Sequence, residues 1–300
     1  MPPLTVPDAV RNKAALAGLD GWLDALPGIV AGLEAEWGFT TGAPFLDGSE
    51  AFVARVTRSD GTPAVLKVLL PRDDAIALHE ITVLQLAGGE GCARMFASNL
   101  ARGAMLLERL GPSLSTLNLP ADERQAILCA TARRVWRPAA GWGLPTGAEK
   151  GRWLIDYIIE TWETLGRPCS EQAIAYAVRC AERRIAAHDD ERSVLVHGDI
   201  HQWNALQAPG GFKLVDPDGL LAEAEYDLGV IMREDPVQLL QGDPHERSRR
   251  LARLTGCDER ATWEWGAAER VSTAFVLLGI GFESVGREML AAAEFCAVEG

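Results

Sequence analysis

The stretch from Val194 to Asp216, VLVHGDIHQWNALQAPGGFKLVD, limits what this chain can fold into more than any other. Val194, Leu195 and Val196 form a short apolar run of β character, and Gly198 lets the backbone turn sharply behind it. Trp203, Ala205 and Leu206 then face Phe212, Leu214 and Val215 across Pro209-Gly210-Gly211, the pattern of a hairpin. Such a hairpin returns Asp216 to the side of Asn204. Strands therefore frame a polar loop that carries His197, Gly198, Asp199, His201 and Asn204.

Asn204 and Asp216 are hard oxygen donors of the kind Mg²⁺ prefers, so they are the candidate metal ligands. Asp199 cannot serve equally well as a third ligand if it must face a nucleophile. It is the candidate catalytic residue, accepting or orienting a hydroxyl proton. Together the three side chains are suited to hold divalent metal on a nucleoside triphosphate while a hydroxyl is steered toward its terminal phosphate. A zinc site on His197 and His201 is the weaker reading. Gly198 breaks the helix that such a pair needs, and no third ligand is evident.

HGDIHQWN followed by LVDPDG resembles the aminoglycoside phosphotransferase family, a relative of the protein kinases. In that family HGD-x-x-x-x-N stands where protein kinases carry HRD-x-x-x-x-N, and the later aspartate stands for that of DFG. WLDALPGIVAGLEAEWGF and DGTPAVLKV are similar to the branch that phosphorylates streptomycin-like antibiotics, including the aminoglycoside/hydroxyurea resistance kinases. Trp203 departs from the small residue often found before the family's asparagine. The resemblance implies an α+β, bilobal, protein-kinase-like fold. It also implies transfer of the γ-phosphate of ATP, with GTP as an alternative nucleotide and Mg²⁺ as the metal. The acceptor it implies is a hydroxyl of a small cationic antibiotic, the alternatives being another small alcohol or a catalytically silent nucleotide-binding protein.

The formal charge of −13 argues against nucleic acid as a bulk partner. It is compatible with a cationic small substrate, although acidic surfaces more often serve only solubility. Three hundred residues, 48% of them hydrophobic, can bury a large core. The six cysteines are scattered with no C-x-x-C pair, which suits reduced thiols. MPPLTVPDAV shows no basic segment followed by an apolar core, and no apolar run reaches membrane-spanning length. The expectation is a cytoplasmic protein with no membrane association and no obligate protein partner.

Leu19, Trp22, Leu23, Leu26, Ile29, Val30 and Leu33 recur at helical spacing, with Pro27-Gly28 as a start or break. Strands follow around the Ser59-Asp60-Gly61-Thr62 turn, and Lys67 sits in the apolar run Ala64–Leu70, where a charge is costly unless paired or functional. By resemblance Lys67 bridges the α- and β-phosphates, held by Glu80 from the next helix. Asp73 and Asp74 read as acids favoured at that helix's N-terminus. Gly48 and Ser49 are the candidate phosphate-covering turn, although an ordinary surface turn reads the same, and Glu50 must then point away. Glu108 and Leu110 are the expected adenine-pairing backbone positions, and Gly111-Pro112 is the candidate boundary between lobes 1–111 and 112–300.

The second lobe reads as helical. Trp153, Leu154, Tyr157 and Ile158 are expected on the packed side of a helix from Lys150 to Leu165. Asp227, in AEYDLG, reads as a structural acid that binds loop backbone, and Asp218 as a turn residue or a support for metal or substrate. Glu223, Glu225, Glu234 and Asp235 form either a solvated face or acids for a guanidinium. His201, Glu234 and Glu283, besides Asp199, are the candidate substrate-binding side chains.

Overall fold

The structure, a computed structural model, describes residues 4–46, 48 and 50–299. The chain divides into two compact units, Met1–Gly111 and Pro112–Gly300.

In the first unit, α1 (Asp8–Leu16) and α2 (Asp20–Trp37) precede β1 (Phe39–Pro44), β2 (Ala51–Arg58) and β3 (Pro63–Leu69). Then come α3 (Asp74–Ala87), β4 (Met95–Asn99) and β5 (Ala104–Glu108). The strands form one antiparallel sheet in the order β1-β2-β3-β5-β4. Alternation along the strands decides what each face does. Phe52, Ala54 and Val56 of β2, Ala64, Leu66 and Val68 of β3, and Ala104 and Leu106 of β5 share a core with Leu26, Val30 and Leu33 of α2. Lys67 has the opposite parity and lies across from Val53 and Met105, on the other face.

Pro27 does not break α2, which runs through it from Asp20 to Trp37. The missing N–H costs one backbone bond, but Leu26, Val30 and Leu33 are buried on either side of it and hold the helix to the sheet. Asp73 caps α3, its carboxylate accepting the Ala75 N–H at 2.9 Å.

The second unit contains α4 (Ala121–Ala132), α5 (Gly147–Thr164) and α6 (Glu171–Ala187). Next are β6 (Val194–Val196), β7 (Ala205–Ala208), β8 (Gly211–Leu214) and β9 (Leu220–Ala222). It ends with α7 (Glu225–Met232), α8 (Pro236–Leu239), α9 (His245–Thr255), α10 (Glu259–Gly279) and α11 (Glu283–Glu299). Helix α10 is the spine, packing on α5, α6, α7, α9 and α11. Its closest approach is to α7: a Cβ on Gly229 would lie 2.3 Å from Trp265 Cβ, so only glycine admits this contact.

Two further sequence expectations need correction here. Trp203 is not in the hairpin, whose first arm starts at Ala205 in register with Leu214, and its side chain is 57% exposed. Trp153 is not on the packed side of α5: Leu154 and Ile158 are buried, but Trp153 is 50% exposed. Among the described residues no helix is long and apolar enough to cross a membrane.

Candidate active site

The polar loop is shaped by backbone bonds before any side chain acts. Strand β6 pairs antiparallel with β9, Val196 opposite Leu220, and the Gly219 N–H donates to the His197 carbonyl at 3.0 Å. The Val215 N–H donates to the Asn204 carbonyl at 2.9 Å, so Asp216 follows directly on the residue bonded to Asn204. Asp216 itself takes a left-handed conformation, φ 58°, an uncommon choice for a non-glycine residue and one that redirects the chain after β8.

Asp227, fully buried on α7, anchors the loop. Its Oδ1 accepts the Gly198 N–H at 2.8 Å, and its Oδ2 accepts the His197 N–H at 3.1 Å and the Trp136 indole N–H at 2.8 Å. This is the structural role read from AEYDLG. Burial pushes the Asp227 carboxyl up to about 6, against these three donors.

His197 ties the catalytic loop to the residue before Asp216. Its Nε2 lies 3.0 Å from the Val215 carbonyl, and its Nδ1 accepts the Asp199 N–H at 3.3 Å. Only the neutral ring with its proton on Nε2 satisfies both contacts. Burial agrees, pulling the imidazole down to about 4.

Asp199 is held on both oxygens. Oδ1 accepts Arg233 Nη2 at 2.6 Å; Oδ2 accepts His201 Nε2 at 3.2 Å and Asn204 Nδ2 at 3.3 Å. Burial opposes its charge, but the bond from His201 and the charge of Arg233 hold the carboxyl well below the usual carboxylate range. His201 is raised in turn: burial disfavours its proton, and the Asp199 contact outweighs that. Arg233 reaches back to Glu269 Oε2 at 2.9 Å, and the Tyr226 hydroxyl donates to the other Glu269 oxygen. Tyr226, Glu269 and Arg233 are buried, and with the partly exposed Asp199 they form one chain of charge-assisted bonds that opens at that carboxylate.

Asn204 Nδ2 also donates to the Asp199 carbonyl at 3.1 Å. With two acceptors fixing the amide nitrogen, the carboxamide is oriented so that Oδ1 faces elsewhere, and this oxygen accepts no hydrogen bond among the described residues. Asn204 Oδ1 and the exposed Asp216 carboxylate are therefore a donor set of the type that suits Mg²⁺. Among the described residues no group of three or more His, Cys, Asp or Glu is placed to hold a metal ion.

In the first unit Lys67 Nζ lies 2.5 Å from Glu80 Oε1, and both side chains are buried. Gly48 lies between β1 and β2; Ser49 lies outside the described residues. Glu50 turns to Lys13 and Arg72, with which it forms ion pairs. The Glu108 N–H is spent on the Arg94 carbonyl at 2.8 Å, and β5 ends there, before Leu110.

The candidate substrate acids separate. Glu234, whose carboxyl burial raises against the pull of Arg233 and His201, stays with the Asp199 group. Glu223 accepts the Trp265 indole at 2.7 Å, Glu225 accepts the Asp258 N–H at 2.8 Å, and Asp235 takes Arg124. These three brace the fold. Glu283 lies on the first turn of α11, two-thirds exposed and 2.6 Å from Arg287, and among the described residues no contact joins it to Asp199. Sequence reasoning missed Arg233 and Glu269. Arg233 follows the apolar run Leu228–Met232, the same signal that singled out Lys67.

A thermostable mutant of aminoglycoside phosphotransferase APH(4)-Ia, solved with ADP and hygromycin B, is similar in structure, with a TM-score of 0.61 at 15% identity over 89% of this chain and 97% of that one. A choline kinase from Streptococcus pneumoniae gives the same TM-score at 8% identity, over 92% of this chain and 99% of that one. At such identities the likeness defines the class alone: a bilobal, protein-kinase-like α+β fold. By sequence, a streptomycin 6-kinase of Streptomyces glaucescens is 25% identical over 87% of each chain. A hydroxyurea phosphotransferase of Kitasatospora aureofaciens is 30% identical over 69% of this chain and 61% of its own. Residues 36–262 match the aminoglycoside/hydroxyurea antibiotic resistance kinase family, and the chain belongs to that family.

Proposed function

We propose that this kinase transfers the γ-phosphoryl group of ATP to a hydroxyl of a small cationic antibiotic of the streptomycin type, in the cytoplasm and with Mg²⁺. The observation that carries this is the double clamp on Asp199, which keeps an ionised carboxylate at a fixed place beside Asn204. A carboxylate held so far below its ordinary pKa is a weak proton sink. Asp199 therefore acts by accepting the acceptor hydroxyl's hydrogen bond and aligning its lone pair, which suffices where bond breaking leads and positioning supplies most of the rate.

Asn204 Oδ1 and Asp216 would hold Mg²⁺, which neutralises phosphate charge when bound. Lys67, steadied by Glu80, would meet the α- and β-phosphates, with the Gly48–Ser49 turn covering them and the backbone at Glu108 and Leu110 pairing the nucleotide base. Glu234 and His201, whose charges act on each other and on Asp199, would border the acceptor side. The relatives' names, one streptomycin kinase and one hydroxyurea phosphotransferase, support a small hydroxylated acceptor.

The test is mass spectrometry of an antibiotic panel that includes streptomycin and hydroxyurea, incubated with protein, Mg²⁺ and ATP or GTP. Addition of one phosphate by the wild type, lost in Asp199→Ala while nucleotide still binds, is the expected result. Wild-type-like turnover by Asp199→Ala refutes it.

A further inference from the structure

Lys150 is a cation placed between an exposed aromatic face and the catalytic neighbourhood. The Leu221 N–H donates to the Pro145 carbonyl at 2.9 Å, and Thr146 bridges to Leu221, which sets the N-terminus of α5 beside β9. One turn into α5, Lys150 Nζ lies 4.3 Å from the centre of the Trp153 ring and 3.8 Å from Asp218 Oδ2. Trp153 stacks on Tyr157 with centroids 5.2 Å apart and planes 6° from parallel, so the pair presents a flat, half-exposed surface. Asp218 in turn lies against the residue before Asp199: a Cβ on Gly198 would come within 2.9 Å of Asp218 Cβ.

The ammonium is loosely kept there. At 3.8 Å it is ion-paired to Asp218 without a hydrogen bond, and among the described residues it makes no other. The ring face and the carboxylate are the two partners a guanidinium satisfies better than an ammonium, by planar stacking and by a two-pronged bond. Asp199 and Glu269 both add negative charge at Asp218, and Arg233 offsets part of it.

We propose that the Trp153 ring and the Asp218 carboxylate form a subsite for a guanidinium group of the acceptor, and that Lys150 fills it in the free protein as a stand-in that the acceptor displaces. This rests on the phosphotransfer reading of the same unit and adds the part of the acceptor that is recognised. Asp218 and Trp153 bind the cation, and Asp199 is left to the hydroxyl.

Isothermal titration calorimetry of the full chain with streptomycin, with Mg·ADP affinity as a control, tests the subsite. Lys150→Met removes the competitor and lowers the streptomycin Kd several-fold. Trp153→Ala raises it about tenfold, Trp153→Phe recovers most of the loss, and Mg·ADP affinity stays unchanged throughout. The proposal is overturned if Lys150→Met binds streptomycin no tighter than wild type, if Trp153→Ala binds it equally well, or if no variant binds it. The phosphotransfer reading has a separate fate: it survives any of these results if wild type phosphorylates another member of the panel.

Discussion

The Arg233 guanidinium grips Asp199 with one nitrogen, at 2.6 Å, and Glu269 with another, at 2.9 Å. All three groups belong to one unit, and the arginine is buried. Its charge is what lets a buried and a partly exposed carboxylate sit side by side, and burial itself works against that charge before Asp199 and Glu269 outweigh it. Arg233→Met therefore leaves Glu269 buried without its cation, at a cost of about 3–5 kcal/mol. Arg233→Met with Glu269→Gln recovers much of that stability, as a double-mutant cycle by chemical denaturation reads out. Phosphoryl transfer is not recovered: with Asp199 loosened, kcat falls about a hundredfold in both variants, while nucleotide affinity holds.

Lys67 and Glu80 form the other buried ion pair of consequence. Glu80→Gln keeps the volume and removes the charge, so the fold survives with a lower melting temperature. Lys67 then loses the group that fixes its ammonium, and Mg·ATP binds more weakly by roughly tenfold. Calorimetric titration with Mg·ATP checks this. Unchanged affinity would mean that Lys67 does not contact phosphate.

The strand that carries Lys67, the hairpin that leads back toward Asp216 and the anchoring role of Asp227 were legible because short-range rules set them: an apolar β run, a glycine turn, an acid at a helix start. Arg233 and Glu269 were not, since their meeting depends on how α7 packs on α10, which no local pattern encodes. Trp153 was misplaced for a geometric reason. Neighbouring helix positions differ by about 100°, so a residue beside Leu154 sits at the margin of the apolar stripe, where the sequence does not decide between core and surface. Glu283 stands out in the sequence as an acid in an apolar segment, and the structure places it on the first turn of α11, where an exposed acid is favoured by the dipole.

Asp227 and His197 make stability depend on pH in opposite senses. The Asp227 carboxyl is raised to about 6 from an unfolded value near 3.9, so the native state retains a proton that the unfolded chain releases. Its contribution is largest below about pH 4 and is lost as pH rises toward 6. His197, lowered to about 4, resists protonation in the fold, so its contribution is present above about pH 6.5 and is lost as pH falls toward 4. Asp227→Asn removes only the first. The variant is less stable overall, because an amide cannot accept from all three donors. Its deficit relative to wild type nevertheless shrinks between pH 4 and 6, by on the order of 3 kcal/mol. Urea titrations across that window measure it, and a deficit that widens instead would assign the raised carboxyl to another residue.

Gly198 carries a conformation and a contact that no other residue tolerates together. Its φ is 88°, and a Cβ there would stand 2.9 Å from Asp218 Cβ and 3.4 Å from the Gly219 nitrogen. Gly198→Ala therefore adds backbone strain of about 1–3 kcal/mol and pushes the Asp218 segment away from the loop. The strain falls between His197 and Asp199, so it loosens the Gly198 N–H bond to Asp227 and the alignment of Asp199 together. Stability falls by that amount, and kcat falls by about tenfold or more with nucleotide affinity little changed. Thermal melts paired with steady-state kinetics separate the two effects. A variant that melts early but turns over at the wild-type rate would show that Asp199 keeps its place without the turn.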